Sequence, residues 1–567
     1  MKQCLTPLMT IAAFAAVAAS AQQQQPFSNG PRLKITSPWS MASGAEWAGD
    51  YPRFNALIKD AGVRSIRLGQ EWQTIQPREG EWNFEGMDKM VADARKNNMQ
   101  IIGVWCYFAP WASADGGTRR GPVKNMQFWR DYVRVTAERY RNDIEHWEVW
   151  NEFNGSFYQG NDKVREYADL AVAAYEEIKK VDPTIKVGLS VANFDVAFLN
   201  ATIQAGAKDH FDFVCVHPYE NLGAAMAGEE SSYLSLAGSL RTMLAANNQR
   251  ADIPLWITET GRQSTIKADA ESDLKQAEAL VKVYILSLAQ GFDRICWFEV
   301  RGPAYGSNTD HGIIRHDWTA RPAYDILKKM TAALGDTPKY IGWQNIGKEG
   351  FGFVFQGAQG PALVAWASKN GDETFTLNGR QEKLTRMPRI FTSLPAALVS
   401  QAKLNSSKPF PWGQDYAKAS EVTVRLGAKN LENGLKQHNP NTTAVENDLT
   451  ETWARTNFKI GGEGRYVYFR VDPTFGGFGS SKFDITVVAR RIANDKPAGM
   501  KICYESLGNG YTDAPGGYKN IDAGGWQELT WSVDDANFVG QWGWNFRTDC
   551  NGSGNEFFIK EVRVKKR

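Results

Sequence analysis

Between Leu33 and Ala333 short apolar runs alternate with longer stretches of helical periodicity. The runs are Leu33–Ser37, Ser65–Leu68, Gln100–Tyr107, Glu145–Trp150, Lys186–Val191, Phe211–Tyr219, Leu255–Gly261 and Arg294–Phe298. The clearest helical stretches are Tyr51–Ala61, Met87–Asn97, Asn125–Tyr140, Lys163–Val181, Tyr233–Asn247, Asp269–Gln290 and Pro322–Ala333. Strands separated by helices pair in parallel, because a parallel connection has to cross back over the sheet. Eight such units predict an α/β chain whose residues 32–333 close into a (β/α)8 barrel, a TIM barrel. The rival, an open doubly wound sheet, carries a Gly-rich turn after its first strand. No such turn follows Leu33–Ser37.

A barrel of this kind places its chemistry at the C-terminal ends of the strands. Two strands end in a carboxylate: Trp147-Glu-Val-Trp-Asn-Glu152 and Trp256-Ile-Thr-Glu259. Retaining cleavage of a glycosidic bond requires two carboxylates about 5–5.5 Å apart, one ionised and one protonated. Glu152 and Glu259 are the expected pair. Arg67, at the end of the second strand, is the cation expected to keep the nucleophile ionised. Trp150 and Phe153 would dry the surroundings of the acid and raise it. Asn151 is placed to bond the sugar hydroxyl beside the reacting carbon. Trp39 and Trp105 are further candidates for a sugar platform. An inverting mechanism on the same pair would need a separation above about 6.5 Å.

These residues carry a family resemblance. Trp147–Glu152 resembles the acid/base strand of clan A glycoside hydrolases, and Trp256–Glu259 with Gly261 resembles that clan's nucleophile strand. His217-Pro218-Tyr219 resembles the strand-six motif of glycoside hydrolase family 39, in which the Tyr sits by the nucleophile. Trp297 resembles the aromatic residue that floors the sugar site at the end of strand eight. His311-Gly-Ile-Ile-Arg315 and Arg321-Pro-Ala-Tyr324 resemble the closing loop and helix of such barrels. The resemblance covers roughly residues 32–332 and is nearer to family 39 than to the cellulases of the clan. It implies a retaining hydrolase of a β-glycosidic bond in a polysaccharide or oligosaccharide. No Cys/His spacing suggests a metal site, and no cofactor is expected. Binding residues would then be Asn151, Arg67, His217, Tyr219 and Trp297. The reading it competes with is a non-catalytic carbohydrate-binding protein on a barrel scaffold.

Past residue 334 helical periodicity gives way to short strands with Gly-rich turns. Residues 334–399 read as a small accessory β domain, 400–416 as a linker, and 417–567 as a β-sandwich or jelly roll. The last domain carries Tyr511, Tyr518, Trp526, Trp542 and Trp544 among its loops, as a carbohydrate-binding module would. The chain holds 20 Trp, and its 65 basic and 63 acidic side chains leave a net charge of +2. That balance gives no electrostatic case for nucleic acid or an anionic membrane. Lys2, the apolar stretch Leu5–Ala19 and Ala19-Ser20-Ala21 read as a cleavable signal peptide over residues 1–21, so the mature protein is expected to be secreted or periplasmic. No later run is long enough to span a membrane. Cys106, Cys215 and Cys296 fall in strands, where Cys acts as a small hydrophobe. Cys503 and Cys550 are the candidate disulfide pair.

Overall fold

The computed structural model describes residues 25–34, 36–43, 50–302, 307–348, 350–368, 371–406, 415–438, 443–447, 452–458, 464–493 and 495–567. The expected signal peptide lies outside them. The barrel consists of β1 (Trp39–Ala42), β2 (Ser65–Leu68), β3 (Gln100–Trp105), β4 (His146–Val149), β5 (Lys186–Ala192), β6 (Phe213–His217), β7 (Leu255–Thr260) and β8 (Arg294–Phe298). All eight pair in sequence order, and β8 returns to β1 to close the ring, with Cys296 opposite Ser40. Ala42, Ile102, Phe213, Cys215, Trp256 and Cys296 fill its interior. A larger apolar layer separates the strands from the surrounding helices. Asp162 and Asp269 start two of those helices by accepting the backbone N–H of Arg165 and Ser272.

The first strand is Trp39–Ala42 and not Leu33–Ser37. The alternation in Leu33-Lys-Ile-Thr-Ser suits a strand with one wet face, and Lys34 is indeed exposed. A barrel strand is covered on both faces, and every residue of Trp39–Ala42 is buried.

The small β domain is a four-stranded antiparallel sheet (Lys339–Ile346, Gly350–Gly357, Gly360–Ala367, Arg389–Phe391) beside a hairpin, Glu373–Leu377 with Arg380–Leu384. The stretch read as a linker from residue 400 begins instead inside a helix, Ala396–Asn405. That helix packs on the sheet, with Asn405 Nδ2 donating to the Trp343 carbonyl at 3.0 Å. Residues 407–414 of the proposed linker lie outside the described residues. Buried polar groups join this domain to the barrel. Lys282 Nζ lies 3.0 Å from Glu230 and 2.9 Å from Glu278, and Trp366 donates its indole N–H to Glu230.

Residues from Glu421 onward form two antiparallel sheets of seven and six strands around a common core, a β-sandwich. The candidate disulfide is not formed: Cys503 and Cys550 are both free and buried. Strand register gives the reason. Cys503 faces Arg547 across the ladder, so Cys550 lies three residues further along. At about 3.3 Å per residue that is roughly 10 Å, beyond the reach of a disulfide. The sandwich is docked on the barrel. Asn221 Nδ2 donates to the Gly540 carbonyl at 2.9 Å, Arg470 pairs with Glu229, and Val539 joins the barrel's apolar core. No helix among the described residues is long and apolar enough to cross a membrane.

Candidate active site

β4 delivers Glu148 into the barrel and ends one turn of chain before Glu152. Trp150 and Glu152 both take left-handed backbone angles (φ 64° and 55°), an uncommon choice for residues with side chains. Such angles persist only where packing enforces them. Here Trp150 is wedged among Tyr107, Phe108, Phe153 and Tyr158. The result swings Glu152 over the mouth of the barrel. β7 reaches the same place by a different device. Thr258 faces inward and bonds His217, so strict alternation would send Glu259 outward. The ladder between β7 and β8 is irregular between Ile257 and Thr260, and that bulge turns Glu259 toward the mouth.

Seven side chains then form one network. Arg67 grips Glu148 with three contacts of 3.0–3.1 Å, donates Nη1 to Glu259 at 3.1 Å, and donates Nη2 to Asn151 Oδ1 at 2.9 Å. Tyr219 OH donates to the other oxygen of Glu259 at 2.8 Å. His217 Nδ1 lies 2.8 Å from Glu152 and 3.9 Å from Glu259. Glu152, His217 and Glu259 each bring one atom within 4.8 Å of the others. That trio has the donor types of a metal site, but the Arg67 guanidinium and the Tyr219 hydroxyl already occupy the two oxygens of Glu259. Its surroundings suit a carboxylate acting on a ligand better than one holding a cation.

Burial works against the charge of Arg67, but the carboxylates of Glu148 and Glu259 outweigh it and hold the guanidinium above its ordinary value. Burial and the charge of Glu259 hold the Tyr219 phenol well above its usual range, so it stays a donor. Glu152 departs from the sequence expectation. Burial raises it, yet the hydrogen bond and charge of His217, with Arg67 beyond, bring it below the ordinary carboxylate range. The dry aromatic surroundings of Trp150 and Phe153 exist, both rings being fully buried, but His217 wins.

The structure therefore brings Glu152, Glu259, Asn151, Arg67, His217 and Tyr219 together. It separates Trp39, Trp105 and Trp297 from them. All three are fully buried and point outward, into the layer between strands and helices. Trp39 bonds the Gly335 carbonyl and packs edge-on to Tyr284. Trp105 donates to Thr136 and stacks on Trp147 at 4.6 Å. Gly103 makes room for that stack, since a Cβ there would sit 2.4 Å from the Trp147 ring. Trp297 alternates with the inward Cys296, so the inward aromatic at the end of β8 is its neighbour Phe298. Phe298 meets His311 at 5.2 Å, and His311 meets Tyr219 at 6.1 Å. Burial pushes His311 down to about 4, which leaves it neutral. Tyr107, whose hydroxyl accepts from Asn151 Nδ2 at 3.2 Å, completes the rim. Phe298 and His311 were findable by counting inward positions on from Cys296 and by the closing-loop motif.

A cellulase model, glycosyl hydrolase family 5, matches residues 22–297. Among curated proteins, endo-1,4-beta-xylanase A of Halalkalibacterium halodurans is 35% identical over 115 residues, 18% of this chain and 27% of the xylanase. An endo-1,4-beta-xylanase/feruloyl esterase of Xylanibacter ruminicola is 29% identical over 167 residues, 27% of this chain and 22% of that protein. The chain thus spans about a quarter of the length of these relatives. A solved family 39 glycoside hydrolase from Bacteroides cellulosilyticus WH2 is similar in fold, with a TM-score of 0.51 at 20% identity, covering 65% of this chain and 80% of that one. Two carboxylates at the mouth of a closed barrel thus meet a cellulase family match over the same residues, and the barrel is similar to those of the clan A glycoside hydrolases.

Proposed function

We propose that the protein cleaves a β-glycosidic bond in a polysaccharide or oligosaccharide with retention of anomeric configuration, and that it does so after export. The observation that carries this reading is the approach of Glu152 and Glu259 to within 4.8 Å. That is the short separation of a nucleophile and its acid/base partner, with no room for a water between sugar and carboxylate. Glu259 attacks the anomeric carbon as the bond to the leaving oxygen breaks, and Glu152 gives that oxygen its proton. Glu152 then takes a proton from water, which attacks the glycosyl–Glu259 ester and releases the sugar. Arg67 and Tyr219 hold Glu259 in its attacking orientation. His217 favours the second half of the cycle, in which Glu152 must be a base. In the first half, a sugar seated against Glu152 removes its remaining water and raises it.

The two xylanase relatives make β-1,4-xylan the first substrate to try, beside β-glucans and aryl β-glycosides. Product release by the wild type and its loss in Glu259→Ala supports the assignment. Proton NMR of the first-formed sugar tests the stereochemistry, and an inverted anomer would refute retention. Binding without cleavage, unchanged in the variant, would leave the carbohydrate-binding reading in place. The signal-like N-terminus supports export. A mature N-terminus at Gln22 is the expected result of sequencing the protein recovered outside the cytoplasm.

A further inference from the structure

The loop after Glu152 serves two spaces. A Cβ added to Gly155 would sit 3.3 Å from the Glu152 carbonyl and 3.8 Å from the Glu152 Cβ, so Gly155 packs against the backbone that carries the acid. The carbonyl of Asn193 accepts from the His217 backbone N–H at 3.1 Å. Gly155 and Asn193 also line a second cleft of about 540 Å3, within the size range of small-molecule sites. Its opposite wall comes from the C-terminal sandwich, through Asn509, Gln541 and Trp542.

That wall is fixed relative to the acid by buried bonds. The Glu505 carboxylate accepts from Gly540 N, Gln541 N and Asn545 Nδ2 at 2.8–3.1 Å. Asp195, at the end of β5, accepts from Asn154 Nδ2 at 2.9 Å and is also bonded by the Gln541 side chain. Trp542 gives its indole N–H to the Gly510 carbonyl at 3.2 Å and remains half-buried, so its ring, not its N–H, is what it offers the cleft. The charges along the cleft are already engaged. Lys163 Nζ bonds the carbonyls of Asn154 and Gly155, and Asp162 caps the Arg165 N–H. An aromatic face with asparagine amides and no spare charge matches a neutral sugar ring better than an acidic one.

The general acid protonates the leaving-group oxygen, so space reached past Glu152 lies on the leaving-group side of the scissile bond. We propose that this cleft, shared by the barrel and the C-terminal domain, binds a neutral sugar unit of the leaving group, with Trp542 as its stacking surface. The inference rests on the hydrolase reading above and makes the sandwich a wall of the substrate path, where a tethered binding module would act at a distance.

The test compares the full-length wild type with Trp542→Ala on two substrates of the same glycone. One is an aryl glycoside, whose leaving group is a single ring. The other is an oligosaccharide extending three or more units past the cleaved bond. The quantity read is the ratio of kcat/KM on the oligosaccharide to kcat/KM on the aryl glycoside. It is expected to fall at least tenfold in Trp542→Ala, and at least threefold in Asn509→Ala, which alters an exposed residue and decides the matter if the first variant does not fold. A ratio within twofold of wild type in the folded variants would overturn the proposal, whether the two activities stay intact or fall together. If the wild type cleaves neither substrate while Glu259→Ala binds sugar equally well, the hydrolase reading has failed, and this inference with it.

Discussion

Arg67 holds two carboxylates of different kinds, and the two roles are separable by mutation. Glu148 is completely buried and Arg67 is about 5% exposed. Replacing Arg67 by Leu strands the Glu148 charge inside the barrel. Breaking a buried pair by removing one partner costs about 3–5 kcal/mol. For a domain of this size 1 kcal/mol corresponds to about 2–3 °C, so the barrel's melting transition should fall by roughly 6–15 °C. The same change takes one charge-assisted hydrogen bond from Glu259, worth about 1.5–3 kcal/mol, so kcat/KM should fall roughly 10- to 150-fold. The double variant Arg67→Leu/Glu148→Leu removes the stranded charge. A buried ion pair replaced by apolar groups of similar volume is often neutral or stabilising, so its transition should recover most of the loss while activity stays low. Differential scanning calorimetry and steady-state kinetics on an aryl glycoside read the two quantities. Activity that recovers together with stability would show that Arg67 serves Glu259 only through the fold. A single variant that melts within 2 °C or so of wild type would refute the buried-pair argument itself.

Because His217 holds Glu152 low, the acid gives up its proton early as pH rises, and the alkaline limb of kcat/KM should move to higher pH in His217→Asn. A limb that stays in place would remove His217 from the titration. Tyr219→Phe deletes one hydrogen bond to Glu259 and should lower kcat/KM about tenfold or more with an unchanged melting profile. Phe298→Ala should weaken kcat/KM on aryl glycosides. Trp297→Ala should instead destabilise the barrel by about 3–5 kcal/mol, as large-to-small changes in a core do, and equal effects from both would refute the assignment of inward and outward faces. Burial pushes the Glu505 carboxyl up to about 8. A carboxyl raised on folding contributes stability that is complete below its unfolded pKa and is lost as pH rises through the folded one. The sandwich should therefore be most stable near pH 4–5 and lose up to about 5 kcal/mol by pH 8–9. Denaturant midpoints that rise over that window would contradict the placement of Glu505.

The barrel was legible because strand–helix alternation is a property of hydrophobic pattern, and the carboxylates were legible because each lies at or just past the end of a strand. What the pattern did not carry was direction. Both faces of a barrel strand are apolar, so nothing in Trp39-Ser-Met-Ala or Gln100–Trp105 marks which tryptophan looks inward. Trp297 and Phe298 are adjacent aromatics, and only the ladder with β1 tells them apart. The turning of Glu259 by a bulge, and the grip of Arg67 on Glu148 as well as Glu259, depend on contacts between strands far apart in sequence. The cleft beside Trp542 depends on residues some 350 positions from Asn193, brought together only by docking of the sandwich.

Cys106, Cys215, Cys296, Cys503 and Cys550 are each buried and unpaired. No covalent bridge of theirs has to be made for the chain to reach this state, and none can be broken by a reductant. Refolding yields and unfolding midpoints should then be indifferent to dithiothreitol. A host that makes the chain in a reducing cytoplasm, or passes it unfolded across a membrane to an oxidising one, would recover the same fold without a disulfide-forming catalyst.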